Sequence, residues 1–159
     1  MLPELKVFLL AMTPFGELRA AIPVGIEVYN LPLWSTYLWS VLGNLVPVVI
    51  ILKGLKFISE YLSHKVYFFN RFFAWFFERT RNNHAQKVEK WKEIALLLLV
   101  AIPLPFTGAW TGSLVAFVFG FSFKRAFPLI AIGVISAGII VALITSSIDK
   151  CLPYIHLFL

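Results

Sequence analysis

Thr13-Pro14-Phe15-Gly16-Glu17-Leu18-Arg19 interrupts the first apolar run of the chain, and the reading of that interruption decides the fold. A straight membrane helix through this point would bury Glu17 and Arg19 near its centre, at about 2.5–3.5 kcal/mol each and about 5–7 together. The ten Leu, Ile, Val and Phe residues between Leu5 and Ile26 return only about 3–6 kcal/mol. Pro14 and Pro23 weaken a continuous helix further, because each lacks the N–H that the helix ladder uses. The residues therefore predict a hairpin that enters to mid-depth, turns at Thr13 to Gly16 and leaves on the same side. Its charged turn then sits in protein or in a water-filled cavity, where irregular backbone is tolerated.

The rest of the chain agrees with a membrane setting. Its 159 residues are 60% apolar and 14% charged, with a mean hydropathy of +0.85, too little polar surface for a water-soluble globule. Apolar stretches at about 5–29, 33–56, 94–122 and 126–148 predict an all-α integral membrane protein with a single domain over residues 1–159. The opening Met1-Leu2-Pro3-Glu4-Leu5-Lys6 lacks the basic n-region of a cleaved signal peptide. Cys151 is the only cysteine, and His64, His84 and His156 are scattered, so neither a disulfide nor a metal site is expected. No cofactor is expected either.

The net charge of +6 flanks the apolar stretches and is a topology signal rather than a nucleic-acid one. Between Lys53 and Glu93, nine bases stand against four acids, which predicts that this linker faces the cytoplasm of a multi-pass protein in a prokaryotic inner membrane. Phe57, Tyr61, Phe69, Phe72, Phe73 and Phe76 recur there at helical steps, so residues 57–93 read as an amphipathic helix on the membrane surface or against the bundle.

Offsetting the halves by 89 or 90 residues lays Pro14 on Pro103, Ala20 on Ala109 and Gly43 near Gly133. The pattern predicts two repeats, 3–56 and 94–148. Each is a broken segment followed by a plainer helix, and the second break falls at Pro103-Leu104-Pro105-Phe106-Thr107-Gly108. If both breaks are re-entrant turns, each half crosses once and the repeats are inverted. The second segment carries no charge and could also span unaided. The positive-inside count is even: re-entrant turns leave Lys6 and Lys150 outside, straight spans leave Lys124 and Arg125 there.

Candidate substrate- or proton-binding residues are Glu17, Arg19, Glu27, Asn44, Thr107, Trp110 and Thr111. Glu17 opens the outgoing arm, where the helix dipole and Arg19 favour its ionised form and burial opposes it, a balance suited to a proton carrier. The bland alternative is a Glu17–Arg19 pair that only holds the turn. Thr107 is placed to N-cap the matching arm of the second half. Glu27 reaches the interface or a proton relay, and Asn44 either lines a cavity or cross-links helices. Trp110 and Thr111 follow the second turn, as lining or as packing. Pro14, Gly16, Pro23, Pro103, Pro105, Gly108 and Gly112 are assigned to the hairpin turns. Gly133, Ala137, Gly138 and Ala142 give small-residue spacings for close helix packing, within the chain or across a homodimer. No phosphate-binding loop, H-E-x-x-H or G-x-S-x-G is present, and no enzyme activity is expected.

Glu17-Leu18-Arg19-Ala20-Ala21-Ile22-Pro23, together with Ala101-Ile102-Pro103-Leu104-Pro105-Phe106-Thr107-Gly108-Ala109-Trp110-Thr111-Gly112, resembles the small multidrug export protein family over nearly the whole chain. That family usually carries glycine where this chain has Phe106. The chain is also distantly similar to the DedA/VTT membrane proteins, whose paired re-entrant loops bear an acid and an arginine tied to proton-coupled transport or lipid flipping. The resemblance implies such roles for Glu17 and Arg19, although the second half here lacks the arginine DedA proteins carry. Three functions follow: a proton-coupled secondary transporter of a small amphiphilic substrate, a flippase for an anionic lipid such as a polyprenyl phosphate, or a non-transporting membrane scaffold. The expected partners are membrane lipids, that substrate and protons.

Overall fold

The computed structural model describes residues 2–65, 85–104 and 107–155. Regular structure among them is helical throughout. In chain order it comprises α1 (Pro3–Ala11), α2 (Glu17–Pro23) running into a π-helical turn (Val24–Val28), α3 (Leu33–Lys65), α4 (Ala85–Ala101), α5 (Ala109–Val118) and α6 (Phe123–Ile155). Leu33–Leu55 of α3 and Phe123–Ser147 of α6 are 23 and 25 residues long and apolar enough to cross a membrane. At ~1.5 Å per residue both exceed a ~30 Å hydrocarbon core.

The first break is held by a local hydroxyl. Thr13 donates to the Leu10 carbonyl at 2.7 Å and accepts from the Gly16 N–H at 3.1 Å, closing the turn after α1. A Cβ at Gly16 would lie 2.7 Å from Thr13 Oγ1 and 2.8 Å from Leu10 O, so only glycine fits. Pro23 is not a turn residue. It sits inside the helix where α2 widens into the π turn, and the widened turn accommodates a residue with no N–H to give. Asn30, with φ +50°, then ends the segment before α3. In the second break Thr107 plays the part of Thr13: its hydroxyl accepts from the Leu104 N–H at 3.1 Å and lies 2.9 Å from Ile102 O and 2.8 Å from Leu104 O. Pro105 falls outside the described residues. Gly112 is a helix residue of α5 rather than a turn residue, and its bare Cα lets Val100 of α4 press in.

α3 and α6 run antiparallel. Tyr37 donates to the Ile135 carbonyl at 3.1 Å and touches Gly138, while Lys53 lies 5.4 Å from the Phe123 ring. Each half packs its incoming arm alongside its long helix through a buried glycine. A Cβ at Gly43 would fall on the Phe8 carbonyl and 3.0 Å from Ala11 Cβ of α1, and one at Gly133 would fall 2.7 Å from Val100 Cβ and 3.2 Å from Leu97 O of α4. Gly133, Ala137, Gly138 and Ala142 are buried within the chain, so two of its own helices occupy these small-residue faces. α3 continues past residue 56 to Lys65 and α4 begins at Ala85, so both ends of the predicted linker 57–93 are helical. The intervening amphipathic pattern, residues 66–84, lies outside the described residues.

Candidate functional site

The two breaks meet, and each satisfies backbone groups of the other. Glu17, the first residue of α2, is 8% exposed and holds a φ of +45°, a conformation that a non-glycine residue keeps only where its surroundings impose it. Its carboxylate lies at the N-terminus of α5 and accepts from the Trp110 N–H at 3.4 Å. Helix N-termini carry unpaired N–H groups and a partial positive charge, so a carboxylate there is well placed. The cap residue of α5 is Gly108, which has no side chain to offer. Thr107 therefore does not cap α5 as its position predicts; a carboxylate from the other half does. Gly108, at φ +148°, admits it, because a Cβ there would lie 2.7 Å from Glu17 Cδ.

Arg19 reaches the same loop. Its guanidinium donates to the Thr107 carbonyl and, at 3.2 Å, to Thr107 Oγ1. The exchange is reciprocal, since the indole N–H of Trp110 donates to the Met12 carbonyl at the end of α1, 3.2 Å away. A loop carbonyl that accepts from arginine and a helix terminus that accepts a carboxylate are both backbone features. Sequence alone gave no sign of Gly108 or Met12 as partners.

Beside these contacts lies an open cavity of about 470 Å³. Pro14, Gly16, Glu17, Arg19, Thr107, Trp110 and Thr111, all predicted as site or turn residues, line it together with Phe15 and Leu114. Phe15 projects at 99% exposure from the tip of the first turn. On the inner side, Glu17, Arg19, Asn44 and Pro103 border a second, smaller space of about 10 Å³. Asn44 is buried, and its Oδ1 has no hydrogen-bond partner among the described residues. Glu27 stands exposed on the π turn and borders neither space. A separate hollow of about 300 Å³ opens between Lys92, Glu93, Ser122 and Arg125 at the α5–α6 joint. Among the described residues, no group of three or more His, Cys, Asp or Glu side chains is placed to hold a metal ion.

The arrangement presents one carboxylate and one guanidinium to an otherwise largely apolar hollow. No curated protein and no solved structure matches the chain. The family described as "Putative small multi-drug export protein" matches residues 17–140, beginning at Glu17, just after the first turn, and taking in the whole second break. With more than three quarters of its length matched, the chain belongs to that family of small export proteins.

Proposed function

We propose that this protein is a proton-coupled secondary transporter in the inner membrane of a prokaryote, with its substrate in the cavity between two re-entrant breaks. The carrying observation is that Glu17 and Arg19 of the first break bond the backbone of the second across the wall of a 470 Å³ hollow. Intramembrane charges are costly, and those that persist face a cavity and serve transport or proton relay more often than they serve packing.

Several features support the inverted, re-entrant reading. α1 and α5 have 9 and 10 residues, so each reaches only about half of a ~30 Å core at ~1.5 Å per residue. Ala11 and Ala101 end their arms 90 residues apart, Leu33 and Phe123 open the long helices 90 apart, and those two helices are 33 residues each and antiparallel. The joint of the first half, beside Lys6 and Tyr29, then lies at the opposite end from that of the second, beside Lys92 and Phe119. The linker 57–93 takes the cytoplasmic side. Rocking one half against the other would break the contacts among Glu17, Arg19, Thr107 and Trp110 and open the hollow alternately.

A second reading, movement of an anionic amphiphilic lipid, is favoured by the Arg19 guanidinium lying in the wall of an open, largely apolar hollow beside the exposed Phe15. One assay separates the two: purified protein in liposomes under a proton gradient, offered ethidium and a polyprenyl phosphate in parallel. A cation site loses about 10²-fold in gradient-driven ethidium flux with Glu17→Gln, on the scale of a removed proton-transfer group. A phosphate site loses lipid movement with Arg19→Ala. Normal flux of both probes in both folded variants sinks the transporter and leaves a scaffold.

A further inference from the structure

α3 carries a stripe of buried polar side chains, Thr36, Ser40 and Asn44, at steps of four residues, which sets them on one face over about 12 Å of helix. Their exposures are 0%, 0% and 1%. Thr36 Oγ1, Ser40 Oγ and Asn44 Oδ1 find no hydrogen-bond partner among the described residues. An oxygen buried in this way bears its desolvation penalty uncompensated.

Hydroxyls on apolar helices commonly escape that penalty by donating to the carbonyl four residues back. Ser113, Ser136, Thr145 and Ser147 do so at 2.6, 2.8, 2.9 and 2.8 Å. Thr36 and Ser40 forgo this bond. Packing does not call for polarity either: 90 residues on, the α6 residues Ala126, Ile130 and Val134 are each 0% exposed and apolar.

One end of the stripe borders the space at Glu17, and the other packs where α1 is one turn from a second acid. Asn44 borders the small space of about 10 Å³ that Glu17 also borders, room for about one water. At the other end Thr36 presses on Gly25, where a Cβ would lie 3.1 Å from both Thr36 Oγ1 and Val7 Cγ2. One turn before Val7 on α1, Glu4 has a buried Oε2 that also lacks a partner among the described residues. We propose that Thr36, Ser40 and Asn44 line a hydrated proton track between Glu4, at the start of α1, and Glu17, at the meeting of the breaks. This rests on the reading that Glu17 exchanges protons during transport.

A proton released by the Glu4 carboxyl is taken by a water or hydroxyl oxygen, which gives up its own proton onward, until the Glu17 carboxylate accepts one. Only O–H bonds form and break, and no electrons are transferred. Asn44 orients water and does not itself relay. The charged groups on elements packed against the stripe are Glu4 and Lys6 of α1, Glu17 and Arg19 of α2, Glu27 of the π turn, the exposed Lys124 and Arg125 at the start of α6, and Asp149 and Lys150 toward its other end. Lys6 is turned to the Tyr29 ring, 5.1 Å away, and Arg19 to Thr107.

Two measurements on the full-length protein test the track. In liposomes loaded with the pH dye pyranine, an ethidium gradient drives a lumenal pH change. The near-isosteric Thr36→Val and Ser40→Ala slow that change about tenfold, the size of one lost hydrogen-bonded relay step. Ethidium–ethidium exchange, which moves no net proton, stays within about twofold, as expected where no substrate contact is lost. Ser136→Ala, whose hydroxyl is satisfied on α6, changes neither. Slowing of both processes alike by the stripe variants, or of neither, overturns the track.

The second measurement does not need transport: deuterium exchange at the Glu17 carboxyl, followed through the infrared C=O band that Glu17→Gln removes. It slows about tenfold in both stripe variants if the track feeds Glu17. Exchange as fast as in the unaltered protein overturns the track even where ethidium moves. Slowed exchange in a protein that moves no ethidium upholds the track and removes the transport reading instead.

Discussion

The break after α1 and the break after α4 are built on one plan and filled with opposite chemistry. Each is closed by a threonine hydroxyl, Thr13 or Thr107, bonded to its own turn, and each is followed by a short helix. The first supplies both charges; the second supplies a helix N-terminus and a carbonyl that receive them. The long helices repeat the contrast. Asn44 of α3 and Val134 of α6, 90 residues apart, border the same small space, and one is polar where the other is apolar. Charge buried in a helical bundle needs partners, and an isolated hairpin has few unspent backbone groups. Placing the acceptors and donors in the other half solves that shortage. It also makes the hydrogen bonds of Glu17 to Trp110 and of Arg19 to Thr107 contacts between the halves.

The contrast breaks first if the halves are not inverted. Single cysteines at positions 30 and 124, introduced in a Cys151→Ser background, report the side on which each joint lies. The inverted arrangement gives all-or-none labelling by an impermeant thiol reagent, from opposite faces of sealed vesicles. Labelling of both from one face fits straight spans and removes the re-entrant reading. A smaller effect tests the socket for Glu17. Gly108→Ala keeps every charge, yet its Cβ would lie 2.7 Å from Glu17 Cδ at a φ of +148°, so the carboxylate must leave α5. Flux should fall about 10²-fold, the cost of misplacing a working group by about 1 Å. Gly54→Ala, which meets nothing within 4 Å, is the matched control and keeps full flux. Equal flux in the two variants would show that Glu17 works without its socket.

Much of this plan was legible in the sequence because cost is local. The price of Glu17 and Arg19 in a straight span pointed to a break at Thr13 to Gly16, and the helix gap falls there. Pro14 and Pro103 stand 89 residues apart, and the helix ends Ala11 and Ala101, and the helix starts Leu33 and Phe123, stand 90 apart. What stayed hidden depends on partners distant in the chain. Thr107 looked like an N-cap because capping rules read only neighbours, whereas the group that reaches α5 comes from 93 residues away. Pro23 looked like a turn because proline removes a hydrogen bond, but a π turn changes which bonds are needed. The reach of α3 to Lys65 was hidden because its polar end resembles a surface helix.

The gentlest test concerns the buried glycines that dock each incoming arm. If the repeats were equivalent in energy as well as in layout, Gly43→Ala and Gly133→Ala would cost the same. They should not. At Gly43 the added methyl falls on the Phe8 carbonyl oxygen, part of a helix backbone that cannot turn aside, and α1 must move bodily from α3. At Gly133 the nearest atom, Val100 Cβ at 2.7 Å, is fixed to its helix, but Val100 Cγ1 at 2.9 Å can turn aside and the Leu97 carbonyl stands off at 3.2 Å, so the clash is smaller than at Gly43. Overpacking costs about 1–3 kcal/mol, and Gly43→Ala should exceed Gly133→Ala by about 1 kcal/mol. Thermal unfolding in detergent reads the difference. Equal losses would mean that α1 yields as easily as a side chain does. The first arm, which carries Glu4 and leads to the charged break, would then be the mobile part of the molecule rather than its anchored one.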